Sequence, residues 1–308
     1  MPPRGSSANR PASSMRLGID LGGTKIEIVA LGNDGSELLR RRISAPRGSY
    51  IATLDAVTTL VRDAESQLGE CGSVGIGIPG AESRATGLIK NANSTWLIGQ
   101  PLRRDVEHSL QREVRLANDA NCFALSEAVD GAAAGADVVF GVILGTGVGG
   151  GMVVHGKVLE GANAIAGEWG HNRLPGDEPE WPPCYCGRTG CVETFLSGPG
   201  LQRDHEHTTR EVTDAIQIAA RANAGDGACE ATLLRYEERL ARGLAEVINI
   251  LDPDVIVLGG GLSNLDRLYE SVPKLWREHV FSDHVTTKLV KNLHGDASGV
   301  RGAAWLWS

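Results

Sequence analysis

The sequence has little cysteine, no long apolar run and no excess of positive charge. No window approaches the eighteen or so consecutive apolar residues that a membrane span needs, which excludes a helical membrane protein. The net charge of −8 disfavours a protein that binds nucleic acid or an anionic membrane surface. Six cysteines among 308 residues are too few for a disulfide-stabilised scaffold, and residues 1–15 lack the apolar segment of a signal peptide. We therefore expect a cytoplasmic protein with neither a nucleic-acid nor a membrane partner.

The remaining composition is that of a globular protein with room for two domains, with 42% hydrophobic and 22% charged residues. Residues 1–15 are rich in Pro, Ser and Arg and are predicted to form a disordered tail. Two segments, Arg16–Leu31 and Asp137–Val154, each read as an apolar strand, a glycine turn and a second apolar strand. Their repetition about half a chain apart predicts a duplicated α/β architecture, with one hairpin in each of two lobes and a cleft between them.

Other segments predict single elements. "SVGIGIPG" and "DPDVIVLGGG" read as buried strands that end in turns, and "REVRLAN" reads as a strand that leads into an alanine-rich helix. Apolar residues in Ala231–Leu251 recur at three-, four- and seven-residue spacing, which predicts an amphipathic helix. The ending "SGVRGAAWLWS" predicts a short closing helix.

The two glycine turns, "DLGGTK" and "GTGVGGG", expose bare backbone after an apolar strand. Such backbone can approach a phosphate closely and direct several N–H groups at its oxygens, whereas the alternative interpretation is an ordinary tight hairpin. Neither turn is a P-loop, and the second opens onto a strand rather than the helix that a dinucleotide fold needs. Together with Asp20, these turns suggest a nucleoside triphosphate with Mg²⁺ held near Asp20 through water.

Asp119 is the candidate catalytic base. It lies where the strand "REVRLAN" meets the following helix, so it can serve as a helix N-cap or as a general base that accepts a proton from a substrate hydroxyl. In the second interpretation Asn118 holds a neighbouring hydroxyl. The local sequence does not decide between the two roles.

Half of the cysteines lie within eight residues, as Cys184, Cys186 and Cys191 in "CYCGRTGC", with His171 thirteen positions before the first. Three sulfurs and an imidazole suit tetrahedral Zn²⁺, and the intervening glycines allow the tight turns that bring the sulfurs together. A disulfide or a set of plain buried thiols are the alternatives. Because all four ligands come from protein, the predicted zinc is structural.

Two carboxylates bracket this cluster. Glu168 precedes His171 by three residues and Glu193 follows Cys191 by two. A closed metal site can fix both carboxylates so that they hydrogen-bond sugar hydroxyls, whereas the alternative is a pair of solvated surface residues.

These motifs resemble the ROK family of bacterial sugar kinases, from about residue 16 to the end of the chain. "GIDLGGTK" and "LGTGVGGG" resemble the family's two phosphate motifs, and "VIVLGGGLS" resembles its adenosine-side motif. "GEWGH" and "CYCGRTGCVE" match its E-x-G-H and C-x-C-G-x-x-G-C-x-E signatures. The resemblance implies a two-lobed α/β fold of the actin/hexokinase/Hsp70 (ribonuclease H-like) type. It implies a smaller lobe of residues 16–117 plus 296–308 and a larger lobe of residues 118–295 that carries the zinc loop.

The segments "NANSTWL", "SEAVDGAAAGA" and "GVRGAAWLW" look most similar to the fructokinase branch of the family. The implied reaction is transfer of the terminal phosphate of ATP, with Mg²⁺, to the 6-hydroxyl of D-fructose. Asp119 would be the base, Asn118, Glu168, His171 and Glu193 would contact the sugar, and His171 would also bind zinc with Cys184, Cys186 and Cys191. The implied nucleotide-binding residues are Gly18, Asp20, Gly22, Gly23, Thr24, Lys25, Gly145, Thr146, Gly147, Gly149, Gly150, Gly259, Gly260 and Gly261.

The motifs do not determine which sugar is the acceptor. Ile98 stands where similar fructokinases lead us to expect a polar residue. N-acetylglucosamine, N-acetylmannosamine, glucose and mannose kinases are the alternatives within the same motifs. A sugar-sensing repressor is the remote alternative, disfavoured because only about fifteen residues precede the first motif. The family also implies a homodimer, with hexose and ATP as the small-molecule partners.

Overall fold

The computed structural model describes residues 14–92 and 94–308. The chain divides into two compact units, one that runs to Ala117 and takes in Ala303–Ser308, and one of residues Asn118–Gly302. Most of the tail predicted for residues 1–15, and Asn93, lie outside the described residues. Met15, however, is buried at 1% exposure, and its carbonyl accepts a hydrogen bond from Ser73 N. Met15, which the sequence placed in the tail, therefore belongs to the folded first unit.

The first unit is built on a five-stranded sheet. Strand β1 pairs antiparallel with β2 and parallel with β4, and the strand order is β3-β2-β1-β4-β7. A separate two-stranded sheet is formed by β5 and β6. The elements are β1 (Arg16–Leu21), β2 (Lys25–Leu31), β3 (Glu37–Ser44), α1 (Tyr50–Leu68), β4 (Ser73–Ile78), β5 (Ala81–Glu82), β6 (Ile89–Lys90), α2 (Leu102–Leu110) and β7 (Val114–Asn118).

The apolar residues of the central strands form the core of this unit. Leu17, Ile19, Ile28 and Ile76 are fully buried there, together with Val57 and Val61 of α1. Helix α1 begins where the Ser49 side chain accepts a hydrogen bond from Ala52 N, and it ends at Gly69 with a φ of 72°. The predicted strand–turn–strand segment is thus confirmed as β1 and β2.

The second unit repeats this sheet order. Strand β8 pairs antiparallel with β9 and parallel with β11, and the strand order is β10-β9-β8-β11-β12. The repetition supports the duplicated architecture that the two glycine hairpins predicted. The elements are α3 (Asp119–Val129), β8 (Val138–Leu144), β9 (Val148–Val154), β10 (Lys157–Val158), α4 (Val192–Leu196), α5 (Gly198–Thr209), α6 (Ala215–Asn223), α7 (Gly227–Leu251), β11 (Val255–Gly259), α8 (Leu268–Leu275), β12 (Lys288–Lys291) and α9 (Ser298–Trp305).

Helix α7 is the central helix of the second core. Its apolar stripe, which includes Leu233, Leu240 and Leu244, is buried among residues of the sheet and of α4. The side chain of Asp226 caps its first turn by accepting hydrogen bonds from Ala228 N and Cys229 N. The predicted amphipathic helix is confirmed and begins four residues earlier than its apolar spacing indicated. No helix among the described residues is long and apolar enough to cross a membrane.

The chain re-enters the first unit later than the sequence suggested, at Ala303 rather than residue 296. Two contacts hold the start of α9 within the second unit. The Ser298 hydroxyl donates to the buried carboxylate of Glu127 at 2.8 Å. Gly302 lies so close to Cys122 that a Cβ there would stand 1.7 Å from the Cys122 carbonyl oxygen.

Candidate active site and metal centre

The first glycine turn joins β1 to β2 in the first unit. Gly22 N donates to Lys25 O at 3.0 Å and closes the turn, at whose tip Thr24 is exposed. A Cβ on Gly23 would stand 3.2 Å from Ser94 Oγ, so the segment that follows Asn93 lies against this turn. In that segment Ile98 is 46% exposed. Gly18 differs from the expectation, because it is buried within β1 and paired with Val29 and Gly75, away from the turn.

The second glycine turn joins β8 to β9. Gly145 N donates to Gly147 O at 3.0 Å, and Gly198 N at the start of α5 donates to Gly145 O at 2.8 Å. The Glu193 carboxylate accepts a hydrogen bond from Val148 N at 2.9 Å and would collide with a Cβ on Gly147. One proposed sugar ligand is therefore bonded directly to the backbone of a proposed phosphate turn.

Three of the predicted nucleotide-binding glycines are closely packed against neighbouring segments. A Cβ on Gly150, within β9, would stand 2.6 Å from Gly167 O and from the Trp169 ring. A Cβ on Gly149 would meet the side chain of Ala120 at 3.3 Å, and one on Gly259 would enter the Phe123 ring. These glycines let α3 and the segment with Glu168 approach the sheet closely, which is a reason for glycine at these positions apart from any contact with a nucleotide.

Asp119 is the first residue of α3, and the helix cap is its neighbour. Asn118 has extended backbone angles, and its side chain accepts a hydrogen bond from Ala120 N at 2.8 Å. Ala120 N is also 2.8 Å from Asp119 Oδ1. Because Asn118 meets the need for a cap, capping does not require Asp119, whose side chain keeps access to solvent although protein groups surround most of it.

The surroundings of Asp119 suit a base. Desolvation by the surrounding protein raises the pKa of its carboxyl group above the ordinary aspartate value, and the negative charge of Glu168 raises it further. The hydrogen bond from Ala120 N opposes both effects without reversing them. A carboxylate with a raised pKa is a stronger proton acceptor than an ordinary aspartate.

One turn of 3-10 helix, Trp169–His171, is anchored to the sheet. Glu168 precedes this turn and His171 is its last residue. Trp169 is 5% exposed, and its indole N–H donates to Gly149 O at 3.2 Å. Its ring also packs edge-on against Phe140, with centroids 5.7 Å apart. The anchored turn leaves Glu168 exposed beside Asp119 and directs His171 towards the cysteines.

The predicted metal ligands converge. One donor atom from each of His171, Cys184, Cys186 and Cys191 lies within 4.8 Å of all the others. Cys184 Sγ is 3.6 Å from His171 Nδ1, and Cys186 Sγ is 3.6 Å from Cys191 Sγ. Bond lengths of about 2.3 Å to sulfur and about 2.0 Å to nitrogen put tetrahedral ligands about 3.5–3.8 Å apart. The donor set and its spacing therefore fit a zinc ion.

Local backbone pairing brings these ligands together. Arg173 forms an antiparallel bridge with Cys191, and Val192 N donates to Asn172 O at 2.8 Å, so Cys191 lies beside the segment that follows His171. Gly187 and Gly190 have φ values of 86° and 70°, which only glycine adopts readily. The glycine spacing is thus explained by the turns that fold the sulfurs onto one point.

The electrostatics of the cluster favour a cation. A backbone hydrogen bond from Arg188, with its guanidinium group, lowers the pKa of Cys186 to about 6. Burial and the neighbouring sulfurs raise the pKa of Cys191 to about 12. Several thiolates this close repel one another, and a divalent ion relieves that repulsion. Partial burial, followed by the charges of Glu193, Cys184 and Glu168, raises the pKa of Tyr185 to about 12.

The loop between His171 and the cysteines is fixed to α7 by buried charges. Glu178, with a side chain 4% exposed, forms an ion pair with Arg239 at 2.7 Å and a second with Arg242. Arg239 also contacts Asp204 of α5 at 2.7 Å. The metal cluster therefore stands on a supported loop.

A cavity of about 980 Å³ in the second unit adjoins the glycine turn between β8 and β9. Gly145 and Thr146 line it on one side and Gly261 and Leu262 on another. Ala215, Ile216, Ala219 and Ala220 of α6 form an apolar wall. No motif marked this wall in the sequence, although the small residues of "AIQIAARAN" were a signal for it. A cavity of this volume with an apolar wall is large enough for a small-molecule ligand.

The chain is similar to known proteins over nearly its whole length. The model of the ROK family matches residues 16–308. The N-acetyl-D-glucosamine kinases of Pectobacterium atrosepticum and Vibrio cholerae serotype O1 are 40% and 42% identical to this chain over 299 residues. Each alignment covers 95% of this chain, with 98% and 99% of the respective relative.

Solved structures agree at the level of the fold. A ROK hexokinase from Thermus thermophilus has a TM-score of 0.85 at 31% identity, covering 95% of this chain and 97% of the other. A ROK glucokinase from Streptomyces griseus, in complex with glucose and AMPPNP, has a TM-score of 0.73 at 27% identity, covering 94% and 98%. The predicted α/β fold of the actin and hexokinase type is confirmed.

The sequence-based choice of sugar is wrong. Relatives that match at about 40% identity over nearly their full length are N-acetyl-D-glucosamine kinases, so D-fructose is not supported as the acceptor. The assignment to the fructokinase branch is likewise not confirmed.

Proposed function

The chain belongs to the ROK family, and we propose that it is an ATP-dependent kinase that phosphorylates the 6-hydroxyl of N-acetyl-D-glucosamine. The observation that carries this proposal is the full-length similarity to two N-acetyl-D-glucosamine kinases at 40% and 42% identity. The geometry around Asp119, Glu168 and the metal ligands supports it, because it offers a base, hydroxyl ligands and a rigid support.

The roles of the residues follow from their chemistry. Asp119 takes the proton from the 6-hydroxyl as that oxygen attacks the terminal phosphorus of ATP. Glu168, Glu193 and Asn118 hold the other polar groups of the sugar through charge-assisted and neutral hydrogen bonds, and the ring of His171 borders the sugar. Positioning by these groups is a large part of the catalysis expected for phosphoryl transfer.

The nucleotide is expected to bind by its phosphates and its base. Each glycine turn offers backbone N–H groups to phosphate oxygens, with Thr24, Lys25 and Thr146 as further donors. The apolar wall of α6 suits the adenine base, and Gly261, where a Cβ would meet no neighbouring atom, leaves room for the ribose. Mg²⁺ enters with the nucleotide, and Asp20 is its proposed water-mediated neighbour.

Zinc, when bound by His171, Cys184, Cys186 and Cys191, supplies a structural crosslink and no reacting group. The crosslink keeps Glu168 and Glu193 in place, since each is within three residues of a ligand. We also propose a homodimer, as expected from the family resemblance.

A coupled assay of ADP release across a panel of sugars tests the function. The panel holds N-acetylglucosamine, N-acetylmannosamine, glucose, mannose and fructose, each with ATP and Mg²⁺. We expect the highest kcat/KM for N-acetylglucosamine, by at least about tenfold over fructose, which corresponds to roughly 1.4 kcal/mol of transition-state binding. A higher kcat/KM for another sugar of the panel would contradict the proposed acceptor, and ADP release with no sugar dependence would contradict a sugar kinase.

A further inference from the structure

Tyr185 is an exposed aromatic residue on the turn that carries the metal ligands. It stands between Cys184 and Cys186, and 82% of its surface is open to solvent. Its backbone position is fixed on both sides, because both neighbours belong to the metal cluster. A large aromatic side chain held on so rigid a turn loses little conformational freedom when it packs against a ligand.

The Tyr185 hydroxyl contacts the metal-binding histidine. Tyr185 Oη lies 3.0 Å from His171 Nε2, and the two rings meet edge-on with centroids 5.2 Å apart. The other ring nitrogen, Nδ1, faces Cys184 Sγ at 3.6 Å. When Nδ1 binds the metal, the ring proton resides on Nε2 and is donated to the tyrosine oxygen. Tyr185 thereby fixes the rotation of the imidazole.

The contact with His171 also brings Tyr185 to the proposed sugar site, because the His171 ring is proposed to border the sugar and lies 3.0 Å from Tyr185 Oη. Glu193, another proposed sugar ligand, follows Cys191 by two residues on the same loop and accepts a hydrogen bond from Val148 N of the glycine turn. The Tyr185 side chain is itself open to solvent, so its ring offers an aromatic face against which the apolar side of a pyranose can pack.

We propose that Tyr185 is a substrate-positioning residue, whose hydroxyl fixes the His171 ring and whose aromatic face packs against the apolar side of a bound hexosamine. This proposal rests on the proposed sugar-kinase function. An aromatic face contributes to binding beyond the area it covers, and a hydroxyl that orients a neighbouring ring contributes separately. Removing the hydroxyl and removing the ring should therefore have different effects.

Two substitutions separate the contributions. In Tyr185→Phe, which keeps the ring, we expect KM and Kd for N-acetylglucosamine to rise about threefold. In Tyr185→Ala we expect both to rise about tenfold or more, while the KM for ATP stays within about twofold. Thr189→Ala, on the same turn and also exposed, is the matched control and should leave all three constants unchanged.

Zinc content and calorimetry distinguish a loss of sugar contact from damage to the metal site. Both tyrosine variants should retain as much zinc as the unsubstituted protein by elemental analysis. Unchanged sugar KM and Kd in Tyr185→Ala would overturn the proposal, as would a sugar effect that appears only with loss of zinc. Calorimetry is done with the panel sugar that the unsubstituted protein binds most tightly. If that sugar is bound but not phosphorylated, the proposed function fails while the role of Tyr185 is still read from Kd.

Discussion

At the scale of single residues, the sequence located the candidate residues but could not always distinguish their roles. The cap and the base could not be separated at Asn118 and Asp119 from the sequence, because both residue types cap helices well. The backbone identifies the cap, since Asn118 holds the extended cap position and Asp119 is the first helical residue, and the role of Asp119 as base stays a proposal. Gly18 and Gly150 could not be classified from the sequence. A glycine that allows a phosphate to approach the backbone and a glycine that allows a neighbouring segment to pack there are the same residue type.

The raised pKa of Asp119 predicts a specific pH dependence. The carboxylate must be ionised to accept a proton, so kcat/KM falls as the pH drops through the pKa of Asp119. Because desolvation and Glu168 raise that pKa, the fall should begin above the range of an ordinary aspartate, about 3.9. Rates measured from about pH 4 to about pH 8 locate the acidic limb.

The control for this profile is Asp119→Asn. It should lower kcat about 100- to 10,000-fold and leave sugar affinity, measured by calorimetry, nearly unchanged. An acidic limb in the range of an unperturbed aspartate would contradict the raised pKa. Near-normal turnover in Asp119→Asn would remove the residue from the role of base.

At the scale of elements, the metal loop was predictable and the nucleotide cavity was not. The four ligands could be predicted because sulfur and imidazole at this spacing have few other uses. The α6 wall of the cavity uses Ala215, Ala219 and Ala220, which carry no chemistry that a motif could mark. The anchor between Glu178 and Arg239 joins distant segments and was equally invisible, because pairing across 61 positions is set by the fold.

Removal of zinc should affect the sugar more than the nucleotide. We expect about one zinc per chain in freshly prepared protein. After chelation the KM for N-acetylglucosamine should rise about 10- to 100-fold, the loss expected for a charge-assisted hydrogen bond. The KM for ATP should change less, since the cavity beside α6 contains no metal ligand.

Two cysteine variants control the chelation experiment. Cys191→Ser removes a ligand and should reproduce the effect of the chelator, whereas Cys71→Ser lies outside the cluster and should not. Fresh protein without zinc would contradict the metal assignment. A rise in the KM for ATP as large as that for the sugar would contradict the supporting role of the loop.

At the scale of the whole molecule, the repeated sheet order was visible in the sequence as two glycine hairpins. The return of the chain was misplaced by seven residues, because the bond between Ser298 and Glu127 keeps the start of α9 in the second unit. The acceptor was misidentified for a related reason. The motifs with Glu168, His171 and the cysteines pointed to the family, whereas D-fructose was chosen from other segments, which the N-acetyl-D-glucosamine kinases that match the chain do not support.

The position of the transferred phosphate tests the central claim most directly. The protein is incubated with ATP, Mg²⁺ and N-acetylglucosamine, and the product is examined by proton–phosphorus correlation NMR. We predict one sugar phosphate whose phosphorus couples to the two protons on carbon 6, formed in equal amount with ADP. Phosphate on another oxygen of the sugar, or ADP formed without a sugar phosphate, would contradict the claim.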